Sequence, residues 1–192
     1  MSLWGATTTD ESKPKHLTDV EKRDVYATTK GWVKKTTGTG GRANRVHEEV
    51  LVAIGGLSGG TSATAALAKG TISSINWNIS AFDKSEGGTL SVTVNYNEEV
   101  DVTGAPQLTV VNDTKANHTL AYASGTGTNR LTFSLAIAGG NNATGAGNVL
   151  SIGANAMGLN GGTVKDKGTN LNANITNSAG IGTGAGTITV VA

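Results

Sequence analysis

Between residues 88 and 111 the chain reads GGTLSVTVNYNEEVDVTGAPQLTV. Leu90, Val92, Val94 and Tyr96 alternate with Thr89, Ser91, Thr93 and Asn95. Alternation at period two sends one set of side chains into a core and the other to water, the signature of a half-buried strand. A second β run, Gln107 to Val111, follows the turn signal Thr103-Gly104-Ala105-Pro106. Glu98, Glu99 and Asp101 fall between the two runs and read as an acidic part of that turn. A chain built on this pattern must fold as sheet.

The same pattern continues on both sides. Strands are expected at 72–79, 89–96, 107–111, 119–123, 130–138, 149–152, 163–165 and 187–191. Between them stand Glu86-Gly87-Gly88, Asn112-Asp113, Ser124 to Asn129 and Gly139 to Asn142, all rich in turn formers. Short strands spaced by about a dozen residues predict an antiparallel two-sheet β-sandwich. No stretch repeats at a fixed period, so the pattern describes one module and not an array.

The first third is different. Residues 1–30 are polar and predict an extended N-terminal arm. Within it, Thr18 and Glu21 have capping-box spacing, so TDVEKRDVY (18–26) predicts a short helix. GWVKKT (31–36) and RVHEEVLVAI (45–54) predict the two strands of a β-hairpin around a glycine-rich loop at 37–44. GGLSGGTSATAALAKG (55–70) reads as a small-residue linker. The expected organisation is an all-β chain: arm and hairpin at 1–55, linker at 56–70, sandwich at 71–192. Val20, Val25 and Tyr26 are too little apolar surface for the arm to fold alone, so it is expected to borrow a partner's surface.

Composition narrows the function classes. Aromatic residues are 4 % and glycines number 28, so the core must be thin and built from Val, Leu, Ile and Ala. Residues 1–70 hold ten Lys/Arg and seven Asp/Glu, and the remainder five and seven. The net charge of +1 lacks the basic bias of a nucleic-acid reader, and no nucleic-acid partner is expected. There is no cysteine, so neither disulfides nor thiolate metal sites can form. MSLWGATTTDESKPKHL has no apolar segment of signal-peptide type, and glycines break the apolar stretch from Val50 to Leu67. Synthesis in a cytoplasm and no membrane partner are the expectations. Under that expectation the N-x-S/T triplets at Asn78, Asn112, Asn117, Asn142 and Asn174 read as turn and edge chemistry, not as glycosylation sites.

No catalytic set emerges. His16, His47 and His118 stand at no recognisable spacing from a nucleophile or a carboxylate. The run Gly180 to Gly186 has the glycine density of a dinucleotide loop, but the β pattern Thr187 to Val191 follows where a helix would be needed. Glu98, Glu99, Asp101 and Asp166 lack EF-hand spacing and read as solvated turns. No enzyme activity, cofactor or metal is expected. Trp77 is expected to pack the sandwich. Trp4 and Trp32 lie where the chain has least core of its own, and a Trp there suits a pocket in another subunit. Lys34, Lys35, Arg42 and Arg45 form a basic cluster around the hairpin and are expected to meet acidic residues of that partner.

Two resemblances add to this reading. LSVTVNYNEEVDVTGAPQLTV (90–110), LAYASGTGTNRLTFSLAIAGGNN (120–142) and LNGGTVKDKGTNLNA (159–173) together resemble the Ig-like repeat of large bacterial surface and adhesion proteins. The chain departs from that repeat at 143–158, where an acidic segment is usual. SLWG (2–5), SKPK (12–15) and GWVKKTTGTGGRANRVHEEVLVAIG (31–55) are similar to small virion structural proteins of tailed marine phages, cyanophages among them. Jointly the resemblances imply a virion structural protein assembled in the host cytoplasm. Its most fitting role would be a capsid decoration or cement protein with an Ig-like sandwich. Its partners would be the major capsid protein or other virion proteins, with self-association on the particle. Other roles of the same kind are a tail, neck or baseplate subunit, or a carbohydrate- or cell-surface-binding Ig-like module.

Overall fold

A computed structural model describes residues 13–37, 46–58, 67 and 69–192. The described chain is all-β. Its strands are β1 (Val25–Thr28), β2 (Gly31–Thr37), β3 (Val46–Ala53), β4 (Ile72–Trp77), β5 (Phe82–Asp83), β6 (Gly87–Thr103), β7 (Gln107–Asn112), β8 (His118–Ser124), β9 (Thr128–Ala138), β10 (Val149–Ser151), β11 (Met157–Gly158), β12 (Thr163–Asp166) and β13 (Ile188–Val191). A single 3-10 turn at Glu21–Asp24 and a five-residue helix, α1 (Ala179–Thr183), complete it.

Strands β4 to β13 enclose the main core. Leu90, Val92, Val94 and Tyr96 of β6 are fully buried, as the alternation requires, and Leu131 and Phe133 of β9 join them. The two strands pair antiparallel from Gly87↔Ala138 to Asn95↔Arg130. Each such Val or Leu contributes about 1.5–3 kcal/mol through burial, which lets a core with so few aromatics hold. Trp77 packs against this cluster from the rim and donates its indole N–H to Gly186.

Strand β6 does not stop at the acidic residues. It runs on through Glu98, Glu99 and Asp101 to Thr103, so the acidic-turn expectation is corrected. The reason is a supply of partners: β12 pairs Val100 to Thr103, and β1 meets Glu98. The turn comes at Gly104, whose φ of 74° and close approach to Gly162 (a Cβ would lie 2.7 Å from its Cα) exclude larger residues.

The sheet order is β3-β2-β1-β6-β9-β8-β7-β10-β13-β5, with β4 and β12 also on β6 and β11 on β7. The expected antiparallel pairing holds for most neighbours, but β1–β6 and β13–β5 are parallel, so the sheet is mixed. A parallel contact needs a long connection, and residues 29–86 lie between the strands of the first such pair.

The described residues of the N-terminal part pack on their own chain. The capping box forms: the Thr18 N–H donates to Glu21 Oε2 at 3.0 Å, and the Glu21 N–H donates to Thr18 Oγ1 at 3.3 Å. The helix expected at 18–26 nevertheless ends after one 3-10 turn. Val25, Tyr26 and Ala27 are extended and buried, paired with Lys34, Val33 and Trp32 of β2. Tertiary pairing outweighs the local helix signal, as β-branched and aromatic residues favour. Val25, Ala27, Trp32 and Leu57 make a second small core, with Leu17, Leu51, Val52, Ile54 and Leu67 around it. Val25 and Tyr26 of the arm thus take their cover from this chain, while Val20 is 64 % exposed. Leu57 and Ser58, inside the expected linker, are buried.

Candidate functional site

The hairpin β2–β3 lies at one end of the sheet. Its strands pair from Gly31↔Ala53 to Thr37↔Val46, and the outer edge of β3 has no strand beside it among the described residues. Such an edge presents a row of unpaired N–H and C=O groups, the template for strand addition. His47, Glu48, Glu49 and Val50 are exposed along it, Val50 at 45 %.

The residues expected to meet a partner divide into three groups. Trp32 is 2 % exposed and forms the floor of the small core, so its assignment as an anchor for a neighbour's pocket is corrected. Lys34 and Lys35 are spent on acids of this chain. Lys34 lies 3.9 Å from Glu21, and Lys35 lies 3.6 Å from Glu48 and 3.4 Å from Glu99. Lys35 also sits 5.2 Å from the centre of the Tyr26 ring, whose hydroxyl donates to Glu48 at 3.2 Å. Burial pulls the Lys35 ammonium down, but Tyr26 and Glu99 outweigh it and hold the pKa above the usual value. Trp4, Arg42 and Arg45 lie outside the described residues.

The junction under the hairpin is the most unusual part of the molecule. Ala27 of β1 is the register partner of Glu98 on β6. The Glu98 carboxyl is 0 % exposed and accepts a 3.1 Å hydrogen bond from the Ser58 hydroxyl on Oε2. Asp166, ending β12, is 1 % exposed and faces it. Asp166 Oδ1 accepts from the Thr169 N–H at 2.7 Å and the Thr169 hydroxyl at 3.0 Å. Burial, reinforced by Asp166, pushes Glu98 up to about 9. Ion pairs brace the same joint from outside: Glu99 with Lys35 and Lys167, and Asp24 with Arg130. The burial of Glu98 was missed from sequence, although a signal was present. Positions 90, 92, 94, 96, 100 and 102 are all apolar, and Glu98 occupies the remaining place in that series.

A cleft of about 390 Å³ separates the 3-10 turn from β4 and α1. Lys13, Lys22, Arg23, Ser73, Asn76 and Ser178 are among its lining. Lys13 donates to the Lys22 carbonyl at 2.8 Å and to the Ser73 hydroxyl at 3.3 Å. Burial, then the nearby Arg130, lowers its ammonium to about 8, with Asp24 opposing and Lys22 adding to the fall. The histidines lie apart in the chain's architecture: His16 in an exposed turn, His47 on β3 and His118 buried at the start of β8. Helix α1 forms within the glycine-rich run because Ser178 caps it, its hydroxyl accepting from the Ile181 N–H.

Comparison with protein-family models, with curated proteins and with solved structures finds no match to this chain.

Proposed function

We propose that this protein is a structural component of a tailed-phage particle, a capsid decoration or cement protein. Residues 1–55 dock, and an Ig-like β-sandwich spanning 71–192 is displayed outward or bridges neighbouring capsomers. The observation that carries the reading is the outer edge of β3, which has no strand beside it among the described residues, on a hairpin braced to the body of the same chain. A strand of the major capsid protein, or of another virion protein, would add to that edge through backbone hydrogen bonds. Repetition around a symmetric particle would turn a weak contact into firm attachment. Trp32 shapes the hairpin and the exposed edge residues make the contact. The resemblance of residues 2–5, 12–15 and 31–55 to phage virion proteins points the same way.

The test is occupancy on particles stripped of the protein. Val50→Glu places a third carboxylate beside Glu48 and Glu49 on the docking edge. The variant is expected to fold normally and to lose most of its particle binding at equal concentration. Full occupancy by a folded Val50→Glu chain would contradict docking through β3.

A second reading, a cell-surface-binding module, draws on the cleft. Lys13 and Arg23 beside serine hydroxyls and Asn76 suit a saccharide that carries acid groups, although Asp19, paired with Lys22 at 3.3 Å, lines the same cleft. Retention on an immobilised sulfated polysaccharide, but not on a neutral one, would favour it.

A further inference from the structure

Glu98 and Asp166 are two carboxylic acids sealed from water at one point of the fold. Glu98 Oε2 is satisfied by Ser58, and Asp166 Oδ1 by Thr169. Among the described residues, Glu98 Oε1 and Asp166 Oδ2 have no donor. Two bare carboxylates there would face each other as like charges in a dry site, an arrangement that drives one of them to take up a proton. One proton on Glu98 Oε1, donated to Asp166 Oδ2, satisfies both atoms with a single bond. It leaves one negative charge on Asp166, which the Thr169 N–H and hydroxyl hold. A calcium ion fits less well. Both Glu98 oxygens, Asp166 Oδ2 and Ser58 Oγ fall short of the roughly six to eight oxygens it takes, and the sealed site offers no way in for water.

The pair lies where the N-terminal part meets the body. Glu98 is met by both ends of the hairpin unit, through Ala27 on β1 and through Ser58 after β3. Asp166 comes from β12. We infer that Glu98 and Asp166 share one proton, and that the protonated pair is a latch holding β1 to β3 and Ser58 on the body of the molecule. Removing the proton leaves two facing charges. Strand β6 is held by β4, β9 and β12, so it stays. The cover supplied by β1 and Ser58 is the part that gives way and lets water reach the acids.

The charged groups packed around the latch come from every neighbouring element. Glu99 on β6 is paired with Lys35 of β2 and Lys167 after β12. Asp101 and Lys165 are opposite each other on β6 and β12. Asp24, ahead of β1, is paired with Arg130 of β9. The Lys35–Glu99 and Asp24–Arg130 pairs tie the same parts together, so deprotonation loosens the joint without freeing the whole unit. The latch stands whatever the hairpin docks to.

The closed joint binds a proton that the open joint releases. Opening therefore grows about tenfold per pH unit between the ordinary carboxylate range and the latched value, and levels off above it. The test is nuclear magnetic resonance on the full chain. Carboxyl carbon shifts report the titration of Glu98, and amide exchange, corrected for intrinsic rates, reports opening at Ala27. Glu98 is expected to titrate near 9. Protection at Ala27 is expected to fall about a hundredfold from pH 6 to pH 8, while Val92 and Val94 stay protected. Glu98→Gln keeps a donor toward Asp166 and is expected to hold the joint closed across that range. Titration of Glu98 in the ordinary carboxylate range would overturn the inference, as would pH-independent protection in the native chain. A Glu98 signal moved by added calcium at pH 7 would replace the shared proton with a cation site. The native-chain titration reads the proton directly even if the Gln variant fails to fold.

Discussion

Ala27 on β1 and Glu98 on β6 are register partners in the parallel contact that joins the N-terminal unit to the body. A small apolar residue there covers the backbone beside a fully buried acid. The seal depends on β1 being present, which ties Val25–Thr28 to the state of a carboxyl far along the chain on β6.

Deleting residues 1–30 removes β1 and uncovers Glu98. The body keeps its main core, so it is expected to fold, but with its joint open to water. The Glu98 carboxyl is then expected to return toward the ordinary range in a carboxyl-carbon titration. A Glu98 that still titrates near 9 in the truncated chain would mean that β1 is not its cover.

Stability of the full chain is expected to fall as pH rises. Glu98 has a folded pKa raised above its unfolded value. Its contribution is therefore fully present below the ordinary carboxylate range, lost progressively up to about 9, and constant beyond. Urea unfolding from pH 5 to pH 9 checks this, with Glu98→Gln expected to show the shallower slope.

Trp32→Ala empties the floor of the small core. A buried Trp replaced by Ala costs about 3–5 kcal/mol, and calorimetry is expected to show the loss in the N-terminal unit. Main-core protection, followed by amide exchange at Leu131 and Phe133, is expected to change little. Unchanged stability of the unit would mean that Trp32 is not part of its core.

Gly104→Ala forces a Cβ toward Gly162 at a positive φ. The expected cost is about 1–2 kcal/mol or more. Gly158→Ala, with nothing within 4 Å of its Cβ, is the control and is expected to stay within about 0.5 kcal/mol. Urea midpoints compare the two, and equal midpoints would remove the steric argument.

Much of the body was legible because its strands obey the period-two rule locally. Leu90 to Tyr96 and Leu131 to Ile137 carry their burial in their own alternation. β5 and β11, at two residues each, are too short to show a period. β1 was hidden by a genuine capping box at Thr18 and Glu21, since a cap marks where a helix can start and says nothing of how far it runs. The parallel pairs depend on which distant strand lies alongside, and no local pattern records that. At the candidate site, the hairpin strands were legible, while the burial of Trp32 and Glu98 came from contacts made by Leu57, Ser58 and β1. Residues that look like a polar arm and a linker supply that cover.

The most direct measurement is electron cryo-microscopy, at side-chain resolution, of the tailed-phage particles proposed to carry this protein. The account predicts a neighbouring subunit's strand along the outer edge of Val46–Ala53, with residues 71–192 turned outward or spanning capsomers. Particles in which that edge faces solvent, or from which the protein is absent, would contradict it.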